Sequence, residues 1–189
     1  GQGWKEVRSG ARLVTGEKVR VGDGAVLAVE FPWMRITAGP ATTLGLAPSR
    51  LMATFLEEGR LEQYAEAGII KLRTPEALLR GEGHLVVRRQ HGVTGVAVVR
   101  GRFRVQAAAV TVVLHQGQGT FVEAGKPPEM PTALPAAPRG LSPGADPIYV
   151  VRGKPILLSW SPSGPANHVQ VLGLEPGDLH PGERRVGVR

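Results

Sequence analysis

The stretch Leu85–Val122, LVVRRQHGVTGVAVVRGRFRVQAAAVTVVLHQGQGTFV, decides the fold, because it joins short Val-rich runs through glycines and other small residues. Apolar, β-branched runs bounded by turn residues are typical of strands. Strands this close in sequence pair with one another. The stretch therefore predicts an all-β fold with strands at Leu85–Arg89, Val93–Arg100, Arg102–Ala107, Val110–His115 and Gly119–Val122.

The residues before this stretch predict further strands and one helical segment. The helical segment is residues 48–58, where Leu51 and Phe55 fall on one face, and a continued run of strands and turns is the competing interpretation. Beyond it, residues 60–65 and 69–74 are predicted to pair as strands across the turn Glu66-Ala67-Gly68. The two glycine pairs in Gly22-Asp23-Gly24 and Gly81-Glu82-Gly83 are interpreted as turns.

Composition bounds the class of protein. The 189 residues are 42% hydrophobic and 5% aromatic, so Val, Leu, Ile and Ala must fill the core. There is no cysteine, which excludes disulfides and thiolate metal sites. No apolar run approaches the roughly 20 residues that cross a bilayer, so no membrane span is expected in this chain.

A proline-rich segment divides the chain. Prolines between residues 127 and 143 fix φ and remove amide donors, which favours an extended linker. The sequence therefore predicts a β domain at 1–124, a linker at 125–144 and a smaller module at 145–189. That module has few residues for a core of its own, so we expect it to dock on the first domain or lend an open edge to a partner.

The chain is basic, with a formal net charge of +7. Such a charge favours anionic partners, among them envelope polymers, phospholipid head groups and nucleic acid. Nucleic acid is disfavoured because aromatics are scarce and no binding motif is present.

Five arginines are the candidate binding residues. Arg100, Arg102 and Arg104 alternate with Val99, Phe103 and Val105, so on a strand the guanidinium groups would line one face while the apolar residues enter the core. A row of guanidinium groups suits phosphate or carboxylate. Arg88 and Arg89 would extend the row if their strand pairs nearby, and the competing interpretation is an ordinary solvated sheet face.

No set of residues predicts catalysis. The pairs Glu57/Glu58 and Glu62/Glu66 lack aromatic neighbours for a sugar, and no Gly-x-Ser-x-Gly occurs. The five histidines are scattered, and zinc needs three or four ligands. We therefore expect a protein that is not an enzyme, with no cofactor and no metal.

Several short motifs follow one another in a distinctive order over residues 4–134. They are an opening Gly-strand-Gly-acidic turn, a Thr-Pro-x-Ala entry and a terminal Gly-Gln-Gly. The residues concerned are Trp4, Gly10–Leu13, Gly16–Arg20, Glu58–Leu61, Leu72–Ala77, Val98–Val105 and Gly117–Thr120. In this order they resemble the FecR domain family.

The resemblance implies a compact stack of short strands, β-helix-like or sandwich-like, in the periplasm or cell envelope. FecR-type regulators of iron transport also carry an inner-membrane helix and a sigma-factor-binding segment, and neither is recognisable in this sequence. The segment Ile156–Trp160, followed by Val169–Val171, resembles a shortened fibronectin type III or Ig-like module.

The predicted function is non-enzymatic binding or scaffolding in the envelope, through an envelope polymer or a protein partner. The alternative is the periplasmic portion of a FecR-type transmembrane signalling regulator that acts on a sigma factor. An upstream transmembrane helix in the full gene would favour the alternative.

Overall fold

The computed structural model describes residues 4, 6–7, 10–12, 16–46, 53–136, 139–142 and 159–161. The chain divides into two units, residues 1–134 and 135–189. Every regular element of the described residues is a strand, which confirms the all-β prediction. The strands are β1 Lys18–Arg20, β2 Leu27–Phe31, β3 Met34–Ala38, β4 Thr43–Leu46, β5 Ala53–Ala65, β6 Ile70–Arg73, β7 Leu78–Gln90, β8 Val93–Ala107, β9 Val110–His115, β10 Gln118–Glu123, β11 Thr132–Ala133, β12 Arg139–Ser142 and β13 Ser159–Ser161.

Strands β1 to β11 form one sheet, in the order β1-β4-β5-β6-β7-β8-β10-β11. β3 joins β2 to β5, and β9 pairs with β8 beside β10. Almost all pairs are antiparallel, and β5–β6 is parallel. In the second unit β12 pairs with β13.

Three long strands, β5, β7 and β8, organise this sheet. Each contains a glycine at positive φ, which is Gly59, Gly83 or Gly101. Each strand also changes partners near its glycine: β5 passes from β4 to β3, β7 from β6 to β5, and β8 from β10 to β9. Glycine takes this backbone conformation without a steric penalty, so a long strand can bend there and contribute to two parts of the sheet.

The inner side of the sheet carries the hydrophobic core. Phe103, Leu61 and Leu85 are fully buried, and their strand neighbours at alternate positions point outward. This alternation is the period of two that a sheet with one buried face requires. The core also contains Ile36, Leu44, Leu56, Ile70, Leu72, Leu79, Val87, Val98, Val105, Leu114 and Val122.

Two tight turns connect β7, β8 and β9, which all lie wholly or partly in the stretch 85–122. His91 and Gly92 join β7 to β8, with φ of 52° and 75°. Ala108 and Ala109 join β8 to β9, with φ of 45° and 61°. Positive φ at both central residues is the type I′ pattern that suits the twist of a hairpin.

Several strand predictions are confirmed, and the differences have local causes. The prediction Val110–His115 coincides with β9. The runs separated at Gly101 form one continuous strand, because glycine bends β8 without ending it. For the same reason the interpretation of residues 81–83 as a turn is wrong: they lie inside β7. The predicted stack of short strands is a sheet built on strands of 13 to 15 residues.

Two predictions upstream are wrong. Residues 53–58 belong to β5 and are not helical, since their alternating burial places Leu56 in the core; residues 47–52 lie outside the described part. The runs 60–65 and 69–74 do not form a hairpin. β6 instead returns to the start of β5, where Ala53 pairs with Lys71 in parallel.

The predicted domain boundaries stay predictions. β11, at Thr132–Ala133, pairs with β10 and so belongs to the large sheet. Of the predicted Ig-like module, the structure describes residues 159–161, which form β13. The rest of the segments that carried that resemblance lies outside the described residues.

Candidate partner-binding face

The outward side of β6, β7, β8 and β9 carries a ladder of basic residues. Lys71 lies directly opposite Arg80, and Arg80 lies opposite Arg104. Val113 of β9 continues the same row. Residues directly opposite in neighbouring strands share a face, with their Cβ atoms roughly 5 Å apart. Three cations on adjacent strands are therefore direct neighbours.

The rows on either side extend this surface. Arg102 lies between Glu82 and His115, and Arg100 lies opposite His84. We call the outward surface made by six cations the basic face. It consists of Lys71, Arg73, Arg80, Arg100, Arg102 and Arg104.

The positive charge of the basic face is hardly balanced by negative charges within the described part of the protein. Among the described residues, none of its six cations makes a side-chain hydrogen bond or an ion pair. Glu82 is the acidic residue placed in its rows. Like charges directly opposite each other destabilise a sheet, so this arrangement lowers the stability of the isolated protein. It also leaves several solvent-exposed guanidinium groups without a partner among the described residues, and such groups bind carboxylate or phosphate well.

The structure agrees with part of the predicted arginine row. Arg102 and Arg104 point outward while Phe103 and Val105 are buried. The prediction that Val99 enters the core is wrong, since its side chain is 44% exposed. The reason is a β-bulge: His84 pairs with Arg100 while Leu85 pairs with Val98, which leaves Val99 as the extra residue.

Arg88 and Arg89 have different places. Arg88 is exposed on the outward side and donates to Gln90 Oε1 at 2.7 Å. It lies opposite Gly95, on the far side of the bulge from Arg100. Arg89 turns inward, with its side chain 18% exposed. The structure therefore does not place Arg89 on the basic face.

Arg89 is the centre of a partly buried polar cluster built on the Thr-Pro-Glu-Ala turn. Its guanidinium donates to Glu76 Oε1 at 2.8 Å and to Glu58 Oε2 at 2.7 Å. Thr94 Oγ1 lies 2.8 Å from Glu76 Oε2 and 2.9 Å from Thr74 Oγ1. Ala77 N donates to Thr74 Oγ1 at 3.0 Å, which closes the turn. These contacts therefore hold the turn against the end of β7 and the start of β8.

Opposing effects set the pKa of Glu76, whose side chain is 2% exposed. Burial raises its pKa, but hydrogen bonds from Arg89 and Thr94 and the charge of Arg89 outweigh burial, so the pKa lies below its ordinary value. The hydrogen bond to Glu76 raises the pKa of Arg89. Every member has partners inside the protein, so the cluster stabilises the fold and offers no free group for chemistry.

A second polar row crosses β2, β3, β5 and β7 on the outward side. Glu30 lies opposite Arg35, Arg35 opposite Tyr64, and Tyr64 opposite His84. His84 Nε2 lies 2.8 Å from Glu62 Oε1. The rings of His84 and Tyr64 meet in a T-shaped arrangement, with their centroids 5.9 Å apart. His91 lies in the turn that ends β7, so it does not approach His84 across the hairpin.

A shallow depression of about 250 Å3 lies at one end of this row, at the β2–β3 hairpin. Trp33, Phe31 and Tyr64 line it together with Glu66. Glu66 therefore has aromatic neighbours that its sequence position did not indicate. Within the described residues, no group of three acidic or histidine side chains could hold a metal ion. In the same ranges, no helix has the length and apolarity needed to cross a membrane.

Sequence reasoning missed half of the basic face. Lys71, Arg73 and Arg80 lie on β6 and β7, and their alignment with Arg104 depends on the pairing register. A useful signal was present: each of these cations is next to a buried leucine, at Leu72 or Leu79. That alternation places the cations on the outward side once the strands are assigned.

Comparison with known structures adds one finding about the fold. No family model matches the sequence, and no curated protein matches it. The fold matches crystal structures of a "putative anti-sigma factor" from Parabacteroides distasonis, with TM-scores of 0.53 and 0.52 and 15% identity. The two proteins share a fold. The match covers 62% of this chain and 60% of the Parabacteroides chain, so it spans less than two thirds of that protein.

Proposed function

We propose that this chain is the extracytoplasmic binding module of a FecR-type regulator that acts on a sigma factor. It is non-enzymatic and binds an acidic protein partner in the envelope through the basic face. Two findings support the regulator: the order of FecR-like motifs along residues 4–134 and the fold shared with the Parabacteroides protein.

The observation that carries the binding role is the ladder Lys71–Arg80–Arg104. Three cations on adjacent strands repel one another, and a fold gains nothing from that repulsion. A partner that supplies carboxylates removes the repulsion and forms charge-assisted hydrogen bonds. The partner's binding free energy therefore includes relief of a cost that is already present in the free protein.

A transcription experiment in the native host tests the regulator. Deleting the gene should change transcription from a set of promoters that share the recognition elements of one sigma factor. Replacing the gene with the variant Arg80→Gln/Arg102→Gln/Arg104→Gln should disturb the response of the same promoters, because the partner no longer binds. The control is Arg12→Gln/Arg20→Gln/Lys126→Gln, which removes the same charge from exposed residues elsewhere and should leave the response intact.

Binding measurements separate the regulator from an envelope-scaffolding protein. The purified wild type and both variants are mixed with peptidoglycan, lipopolysaccharide and duplex DNA at increasing salt. Salt-sensitive binding to one polymer that only the basic-face variant loses, with no change in transcription on deletion, would favour scaffolding and overturn the regulator. An unchanged transcriptome after deletion is the result that contradicts the proposal most directly.

A further inference from the structure

Strand β9 is an open edge beside the basic face. In the described part of the chain it pairs with β8 alone, along the register from Val110 opposite Ala107 to His115 opposite Arg102. Its sequence is Val-Thr-Val-Val-Leu-His. Natural edge strands are usually blunted by lysine, proline or a bulge, because their unpaired amides and carbonyls accept further strands. β9 has none of these protections.

The register identifies the free backbone groups. The two-residue turn Ala108–Ala109 makes Ala107 and Val110 a hydrogen-bonded pair, and such pairs alternate with non-bonded ones along an antiparallel ladder. Val112 then also bonds to β8, while Thr111 and Val113 direct their N–H and C=O groups to the open edge. The next outward amide, at His115, already donates to Gln118 Oε1 at 2.9 Å. The open edge therefore centres on Thr111 and Val113.

The side chains along this edge suit an added strand. Val110 is 44% exposed and Val113 is 38% exposed, so both offer apolar surface to an added strand. On the inner side Leu114 is buried, and Val112 is partly buried against the core. An added strand with apolar residues on its inner side would cover Val112 and extend the core by one strand.

The positive charge of the basic face favours acidic residues on the outward side of the added strand. Arg104 lies opposite Val113, and Arg102 lies opposite His115, so both guanidinium groups are one strand inward from the edge. We propose that β9 binds an extended segment of a partner protein in which acidic residues alternate with apolar ones, by adding it to the sheet as an antiparallel or parallel strand. This inference deepens the proposed function, since the acidic partner and the basic face are the same.

A second copy of the chain fits this edge poorly. Antiparallel pairing of two β9 strands would continue both sheets, with their basic faces on one side. Arg102 and Arg104 of both copies would then lie on a single surface with no added carboxylate. Each chain also carries a net charge of +7, which opposes association at low salt. A segment rich in carboxylates has neither disadvantage.

Peptide binding to the full chain tests the inference. The probe is an acetylated and amidated peptide of alternating valine and glutamate, of about eight residues, the length of an ordinary strand. Its controls are a peptide of the same composition with the glutamates in one block and a peptide with lysine in place of glutamate. Hydrogen exchange should show added protection at Thr111 and Val113 with the alternating acidic peptide alone.

Two variants separate the edge from the charge. Val113→Pro removes an outward amide, which an edge strand tolerates, and should weaken binding about tenfold, the value of one or two lost hydrogen bonds. Arg102→Gln/Arg104→Gln leaves the backbone intact and should weaken binding about tenfold at low salt and less at high salt. Thermal unfolding checks that each variant is folded; if Val113→Pro is not, Thr111→Pro replaces it.

The outcomes are distinguishable. If the probe binds, the arginine variant loses it and the proline variant keeps it, then the basic face binds acidic chains while the edge inference is wrong. If none of the peptides binds, the edge inference and the acidic-partner proposal both fail. If β9 is protected without peptide and sedimentation shows a dimer, the edge pairs with a second copy and the inference is overturned.

Discussion

Gly83 and Gly101 lie directly opposite each other in the β7–β8 ladder, and both have positive φ, 107° and 86°. A Cβ added at Gly83 would lie 2.4 Å from the carbonyl oxygen of Arg100. A Cβ added at Gly101 would lie 2.0 Å from the carbonyl oxygen of Glu82. The two backbones therefore approach more closely than side chains permit, at the point where both strands bend. The β-bulge at Val99 follows immediately, and together they set which residues of β8 face outward.

We expect alanine at either glycine to destabilise the protein strongly. Gly101→Ala or Gly83→Ala combines a backbone conformation that costs about 1–2 kcal/mol for an L-residue with a backbone clash, so the free energy of unfolding should fall by at least about 3 kcal/mol. Urea unfolding measures this free energy. Two control variants separate the cost of positive φ from the cost of the backbone clash.

Gly125→Ala has positive φ but open space, so it should cost about 1 kcal/mol. Gly22→Ala has neither constraint and should be within about 0.5 kcal/mol of wild type. If Gly101→Ala loses no more unfolding free energy than Gly125→Ala, the two strands do not approach each other as closely as described.

The strained turn between β8 and β9 gives a prediction of the opposite sign. Ala108 and Ala109 both have positive φ, which alanine adopts at a cost, whereas Asn-Gly is the preferred pair of this turn. Ala108→Asn/Ala109→Gly should therefore raise the free energy of unfolding by about 1 kcal/mol. Ala67→Gly, at an exposed bend without positive φ, is the control and should be neutral or slightly destabilising. A loss of stability in the double variant would contradict the turn geometry.

The sequence predicted the strands of residues 85–122 well because local chemistry determines them. Alternation around Phe103 identified an outward side for Arg102 and Arg104, and β9 was predicted at its observed bounds. Local patterns could not distinguish a glycine that bends a strand from one that ends it. The run at Gly81 was interpreted as a turn for this reason, although it lies inside β7.

Long-range pairing accounts for the other misses. The hairpin predicted for residues 60–74 assumed that neighbours in sequence pair with each other, but β6 lies parallel to the start of β5. Lys71 lies beside Arg80 through the register of the β6–β7 hairpin, which becomes visible once both strands are assigned. The contacts of Arg89 with Glu76 and Glu58 join residues far apart in sequence. They cannot be read from spacing along the chain, because they depend on where a distant strand returns.

The cluster at Glu76 predicts a loss of stability that depends on pH. Glu76→Gln keeps the shape of the side chain but leaves the partly buried Arg89 with Glu58 as its remaining ion-pair partner. Breaking a buried ion pair is strongly destabilising, and partial exposure of Arg89 moderates the effect, so we expect a loss of about 2 kcal/mol at neutral pH. Glu58→Gln, at a side chain 45% exposed, is the control and should cost less than about 1 kcal/mol.

The sign of the pH dependence follows from the pKa of Glu76, which is lower in the folded protein than its ordinary value of 4.5. The folded state therefore binds this proton less readily than the unfolded state, and the stabilising effect is complete above the unfolded pKa. It is lost as the pH falls through the folded pKa. Urea unfolding of wild type and Glu76→Gln from neutral pH to about pH 3 should show the two stabilities converging below pH 4.5. A difference that stays constant would contradict the cluster.

Reversing one charge in the ladder Lys71–Arg80–Arg104 tests whether its cations repel one another. Arg80→Glu places a carboxylate between Lys71 and Arg104. Opposite charges across neighbouring strands are favourable and like charges are not, so the free energy of unfolding should rise by about 0.5–1 kcal/mol at low salt. Salt near 1 M should remove most of the gain, because screening then acts within about 3 Å. Arg20→Glu is the control and should be nearly neutral, because Arg20 of β1 lies opposite the uncharged Thr43.

Arg80→Glu should also bind acidic partners less well, since it places a negative charge at the centre of the basic face. A protein that gains stability and loses binding from one substitution would show that the repulsion is retained for recognition, whereas an Arg80→Glu variant that is less stable at low salt would mean that the three cations are not neighbours.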